Sequence, residues 1–260
     1  MNSLRLLNDR PLQYYSARIP KLSDVPPSSV SDIPRWRELA REAAEGGEVL
    51  KNLRRYSVVR SIVDTNDYFH GLAYLDEILS AIGNFQKWSL SDLQHIATEL
   101  DSLGSPICYK YRRFGTATPL SLRYLATALD IHQRFGFTEL SRVCEIGAGF
   151  GGQILVLARL KPLDTYDVHD LPEVAGLTLR YLREFGVNAV AKDFSGHYVA
   201  HLEYDLVISN YALSELQRDA QLHFIERVVR RSKKGVRTLE FARRAADVWI
   251  DPARISELSH

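Results

Sequence analysis

Val143-Cys144-Glu145-Ile146-Gly147-Ala148-Gly149-Phe150-Gly151-Gly152 decides how the rest of this chain is read. Residues 142–146 form a short apolar run interrupted by one acid, the pattern of a strand buried on both faces. Residues 151–160 carry helical apolar spacing. The glycines between them let the backbone turn sharply and approach a ligand closely. A carboxylate at the end of a buried strand is costly unless it has a partner, so Glu145 calls for one.

Downstream, short apolar runs alternate with amphipathic helices. The spacing predicts strands at 142–146, 164–168, 188–191, 205–209 and 236–241, and helices at 151–160, 172–185 and 215–231. Alternation of this kind implies an α/β fold, a parallel Rossmann-like sheet covered on both faces. Such a sheet binds ligands at the carboxyl ends of its strands, where the strand order reverses. Upstream the texture differs. Residues 1–30 read as an extended arm rich in Pro and Ser. Residues 31–135 read as a helical region and 136–260 as the sheet domain. Within the helical region, Ser89 is an expected N-cap, and Thr118-Pro119 opens a helix with Thr as cap and Pro at the first position. The aromatic and basic loop Tyr109-Lys110-Tyr111-Arg112-Arg113-Phe114 has two readings: a stacking surface for an acceptor, or an aromatic staple. The whole region is expected to cover the ligand end of the sheet, or else to serve as a dimerisation arm or a separate packing domain.

The glycine turn satisfies two templates. Gly147, Gly149 and Gly152 fit the dinucleotide pattern G-x-G-x-x-G. Glu145, Gly147, Gly149 and Gly151, with Ala148 between, fit the acidic-x-G-x-G-x-G of class I methyltransferases. Glu145 separates the two, because a pyrophosphate would be repelled by it and a cofactor bearing an ammonium and a sulfonium would not. Asp170 ends the second strand, where an acid commonly accepts the ribose hydroxyls; Leu171 adjoins it. Asp170-Leu171-Pro172-Glu173 is also a good helix start, with Asp170 as cap and Glu173 completing a capping box. Asp193 and Phe194 follow the third strand, a point where class I methyltransferases often supply a carboxylate to the adenine amine and a side chain beside its ring. Asn210 and Tyr211 end the fourth strand, facing the methionine part or the acceptor. Ser214 and Gln217 read as a capping box, so Glu215 is either a catalytic candidate or a first-turn helix residue. His197 and His201 are the better-placed candidates for removing an acceptor proton; His169 falls on the opposite face of its strand from Asp170.

Three stretches carry a family resemblance: Cys144 to Gly152, then Tyr166-Asp167-Val168-His169-Asp170-Leu171-Pro172-Glu173, then Ile208-Ser209-Asn210-Tyr211-Ala212-Leu213-Ser214-Glu215-Leu216. In these the chain resembles the sugar O-methyltransferases of bacterial polysaccharide and natural-product gene clusters. The resemblance spans about residues 119–241. It implies S-adenosyl-L-methionine as cofactor and a hydroxyl on a sugar or small natural product as acceptor. There is one departure: after the fifth strand the chain reads as a helix through Trp249, so the last antiparallel hairpin is expected to be missing. That would expose a sheet edge for a homodimer mate or partner subunit to cover. Two alternatives stay open, a nicotinamide-dependent oxidoreductase on the same turn and a non-catalytic methyltransferase-like subunit.

Composition narrows the partners. With 33 Lys and Arg against 32 Asp and Glu, the net charge of +1 provides no field for nucleic acid or an anionic membrane. Cys108 and Cys144 fit no zinc or redox spacing, and no metal is expected. Few cysteines, no signal-peptide pattern and no long apolar run lead to the expectation of a cytoplasmic protein.

Overall fold

The computed structural model describes residues 34–85, 87–137, 140–192, 203–216, 218–233, 236–238 and 248–250. The arm expected at 1–30 lies outside them. The chain divides into two compact units. One holds Gly47–Arg134, and the other joins Val25–Gly46 to Phe135–His260. The division follows packing and not chain order, so the first helix of the expected helical region belongs to the sheet unit. Among the described residues, no helix is long and apolar enough to cross a membrane.

Helix α1 (Pro34–Glu45) of the sheet unit buries Trp36, Leu39, Ala40 and Ala43, the stripe that the sequence predicts. The helical unit contains α2 (Gly47–Lys51), α3 (Ser57–Ile62), α4 (Tyr68–Phe85), α5 (Leu90–Asp101), a hairpin of β1 (Tyr109–Tyr111) and β2 (Gly115–Ala117), and α6, which begins at Pro119. Ser89 caps α5 in a full capping box with Asp92. Thr118 opens α6, its Oγ1 accepting the Ser121 amide at 3.0 Å. Arg54, fully buried, ties the unit together. It donates to Asp64 at 3.1 Å, Asp101 at 2.8 Å and Thr118 at 2.9 Å. The aromatic loop is thus a hairpin. Tyr111 and Phe114 are core residues, and the Tyr111 ring stacks on Tyr68 with centroids 5.2 Å apart. Lys110, Arg112 and Arg113 stay exposed.

The sheet unit continues with β3 (Arg142–Ile146), α7 (Gly152–Leu160), β4 (Thr165–His169), α8 (Pro172–Glu184), β5 (Val190–Lys192), β6 (Leu206–Ser209), α9 (Ala212–Glu215), α10 (Arg218–Arg227), β7 (Val236–Thr238) and β8 (Val248–Ile250). The strand order is β5-β4-β3-β6-β7-β8. The chain builds outward from β3 to β5, then crosses back to lay β6 on the other side of β3. The strand order therefore reverses at the carboxyl ends of β3 and β6. Register aligns those ends: Ile146 lies beside His169, and Glu145 lies beside both Val168 and Ile208. Gly147, Asp170 and Asn210 follow as the strands run out. Beneath them Cys144, Ile146, Tyr204, Val207 and Leu213 pack with Phe224, Val228 and Val229 into one apolar cluster.

Two expectations are corrected. The helix expected at 215–231 starts earlier, at Ala212, and breaks after Glu215 before resuming at Arg218. Its start is tied by Ser209, whose hydroxyl accepts the Leu213 amide at 2.9 Å, so Ser214 falls inside the helix. Second, residues around Trp249 are not helical. Val248–Ile250 pair antiparallel with Val236–Thr238, Trp249 opposite Arg237. The β-branched Val248 and Ile250 flanking an aromatic suit a pleated strand better than a helix. The edge of β7 that a partner was expected to cover is already paired.

Candidate functional site

Three glycines build the turn after β3. Gly147, Gly149 and Gly151 have φ of 76°, 58° and 95°, left-handed values that strain any residue with a Cβ. The Gly147 amide donates to the His169 carbonyl at 2.8 Å, stitching the turn to the end of β4. A Cβ on Gly147 would lie 2.0 Å from the Cβ of Ala212, so the turn also presses against the start of α9. From the other side Thr178 of α8 donates its hydroxyl to the Gly149 carbonyl at 2.6 Å.

Two carboxylates flank this turn. Glu145 is 1% exposed. Its Oε2 accepts the Tyr166 hydroxyl at 3.0 Å and its Oε1 accepts Asn210 Nδ2 at 3.2 Å. The partner that its burial demands is therefore supplied within the chain, from β4 on one side and β6 on the other. Asn210 also has a side-chain oxygen, buried, with no hydrogen-bond partner among the described residues. A buried acceptor left open at the strand-order reversal is a place for a ligand donor. Asp170 uses both oxygens on main chain: Oδ2 accepts the Gly149 amide at 3.1 Å and Oδ1 accepts the Leu171 amide at 2.8 Å. Desolvation pushes its carboxyl up to about 6, against the opposing pull of those amides. The N-cap of α8 is Leu171, with no side-chain cap bond, so the capping reading of Asp170 and Glu173 does not hold.

A pocket opens between these elements, lined by Ile146, Gly147, His169, Asp170, Leu171, Ala212, Glu215 and Leu216. Glu215 stands at it, exposed, with partial desolvation raising its carboxyl above the ordinary range. His169 reaches the pocket and also meets Phe224 edge-on, ring centroids 5.8 Å apart. Tyr211 adopts φ 70° and ψ −34°, close to the rarer hand of the γ-turn. Such strain in a non-glycine residue persists only where the surroundings impose it, and it clusters at functional sites.

The structure thus gathers Glu145, Gly147, Ala148, Gly149, Gly151, Asp170, Leu171, Asn210, Tyr211 and Glu215 around the strand-order reversal. Asp193, Phe194, His197 and His201 lie outside the described residues. Sequence reading missed Tyr166, Thr178 and Ser209. Tyr166 stood on the predicted strand 164–168, where nothing in the local pattern signals that its hydroxyl crosses to β3. Among the described residues no group of His, Cys, Asp or Glu is arranged to hold a metal ion.

No protein-family model and no curated protein matches the chain. Several solved structures are similar to it. A proposed sarcosine dimethylglycine methyltransferase from Galdieria sulphuraria has 20% identity and a TM-score of 0.37, with 45% of this chain and 48% of that one covered. The mitomycin 7-O-methyltransferase has 15% identity and a TM-score of 0.38, with 81% and 67% covered. A mutant of MtNAS in complex with S-adenosylmethionine has 17% identity and a TM-score of 0.39, with 76% and 71% covered. The chain spans about half the length of the first and about two thirds of the others. These likenesses are partial, and the chemistry of the site rests on the chain's own geometry.

Proposed function

We propose that the sheet unit binds S-adenosyl-L-methionine at the glycine turn and methylates a hydroxyl of a sugar or small natural product. The observation that carries this reading is the pairing of a buried acid, Glu145, with an open buried acceptor, Asn210 Oδ1, beneath three left-handed glycines. That arrangement suits a ligand bearing an ammonium and disfavours a pyrophosphate. Asp170, just past the end of β4, accepts the ribose hydroxyls with its remaining lone pairs. Asp193 and Phe194 are assigned to the adenine. When bound, the cofactor supplies a methyl group on a sulfonium. The chain's part is to align donor and acceptor and to take the hydroxyl proton. Glu215 is the base we assign, because it lines the pocket and its raised carboxyl brings it nearer neutral pH. His197 and His201 are the other proton acceptors of this reading.

Calorimetry with S-adenosylhomocysteine and with NAD tests the cofactor directly: heat from the first and none from the second is expected, and the reverse result refutes the proposal. Asp170 adds a pH signature. The ionised carboxylate accepts hydroxyls, so affinity should fall as pH drops through about 6. Its raised folded value also means that the folded protein holds a proton which the unfolded chain releases earlier. Asp170 therefore lowers stability as pH rises from about 4 to about 6. Asp170→Asn should weaken binding roughly ten- to a hundredfold, flatten its pH dependence, and raise the urea midpoint of the free protein at neutral pH. Binding by Asp170→Asn at wild-type strength would remove Asp170 from the ribose.

A further inference from the structure

Glu173, the last residue of the Asp170-Leu171-Pro172-Glu173 element, makes its strongest contacts far along the chain. Its Oε1 accepts Arg37 Nη2 at 2.8 Å and Arg41 Nη2 at 3.3 Å, and its Oε2 accepts Arg37 Nε at 3.3 Å. Arg37 thus grips both oxygens with its fork, the stronger and more directional form of carboxylate pairing. The glutamate side chain is 13% exposed against 43% and 64% for the arginines, so the contact lies at the rim of a packed interface. That contact, Arg37's hydrogen bond above all, holds the Glu173 carboxyl down to about 2, ionised throughout the useful pH range.

The two arginines stand one turn apart on α1, which packs against α8. A Cβ on Gly176 would come within 3.6 Å of the Ala44 Cβ, a measure of how closely the helices approach. Pro172 stiffens the backbone between Glu173 and Asp170. Whatever fixes Glu173 therefore fixes, through the two residues between, the carboxylate that bridges the Gly149 and Leu171 amides.

We infer that Glu173 is a positioning residue for the cofactor site: Arg37 and Arg41 of α1 hold it, and through it hold the start of α8 and the Asp170 carboxylate in register with the glycine turn. This rests on the S-adenosylmethionine reading above. An ion pair with a purely structural role would change stability and leave cofactor affinity alone. A positioning role makes affinity depend on the pair, and only while Asp170 is present to be positioned.

The test is a double-variant cycle on the full chain, with S-adenosylhomocysteine titrated into wild type, Glu173→Gln, Asp170→Asn and the combined variant, and urea melts to establish folding. Glu173→Gln should weaken binding about five- to tenfold, since small misplacements of a binding group are costly. In the Asp170→Asn background the same change should alter affinity by less than about twofold. Added salt should weaken binding by the wild type more than by Glu173→Gln, because the pair is open to screening. Arg37→Lys keeps the charge and loses the fork, so it should fall between; it carries the same cycle should Glu173→Gln not fold. Wild-type affinity in Glu173→Gln, or equal losses in both backgrounds, overturns the inference and leaves the cofactor reading standing. A wild-type protein that binds no S-adenosylhomocysteine overturns both.

Discussion

Arg54→Met is expected to unfold the helical unit or bring it close to unfolding. The guanidinium is fully buried and spends its donors on Asp64, Asp101 and Thr118. Asp101 also receives the Thr118 amide at 2.8 Å and the hydroxyls of Thr118 and Ser121. One arginine thus joins the segment before α4, the end of α5 and the start of α6. Methionine fills most of the volume and leaves two carboxylates, 9% and 7% exposed, facing an apolar stem. Removing one partner of a buried pair costs ~3–5 kcal/mol. A domain's whole stability is ~5–15 kcal/mol. Arg54→Lys should recover only part of this, because an ammonium cannot serve three acceptors in the plane of a fork. Urea unfolding followed by far-ultraviolet circular dichroism reads the result. A loss below ~1 kcal/mol in Arg54→Met would show that the network is dispensable.

Gly147→Ala is expected to abolish cofactor binding in a protein that still folds. The position needs φ of 76°, and the new methyl would arrive 2.0 Å from Ala212 Cβ. Strain at φ costs ~1–3 kcal/mol and overlap a similar amount, so the turn must shift away from α9. The hydrogen bond from its amide to the His169 carbonyl breaks, and the Gly149 amide is drawn off the Asp170 carboxylate. Affinity for S-adenosylhomocysteine should drop by at least about a hundredfold. The cause can be isolated: adding Ala212→Gly removes the overlap and keeps the φ strain. The combined variant should regain about half of the lost binding free energy. Tight binding by Gly147→Ala alone would place the cofactor elsewhere.

How much was legible follows from what each signal depends on. The strand, turn and helix around Gly147 were readable because glycine spacing and apolar runs are local properties, and the β3 and α7 bounds agree closely with the expected ones. The capping box at Ser89 was readable for the same reason. Glu145 announced that it needed a partner but could not say which, because Tyr166 and Asn210 reach it only after β4 and β6 have paired on either side of β3. Thr178 and Glu173 look like ordinary α8 residues until α8 is set against the turn and α1. The misread stretch around Trp249 shows the opposite failure. Three residues of strand in a long run of mixed polarity give too short a period to outvote a helix, and it is the pairing with β7 that decides.

The glycine turn also makes the protein self-reporting. Three glycine amides lie in the turn, and the chain has 15 glycines in all. Protein grown on isotopically labelled glycine would give a sparse amide spectrum in which Gly147, Gly149 and Gly151 can be assigned by single substitution. The Gly149 amide donates to the Asp170 carboxylate, the Gly147 amide to the His169 carbonyl at the end of β4 and the Gly151 amide to the Ala148 carbonyl, so a compound that enters the proposed site should shift them. A library of hydroxylated compounds could then be sorted by chemical-shift change alone, with the cofactor product already in place and without any assay for the reaction.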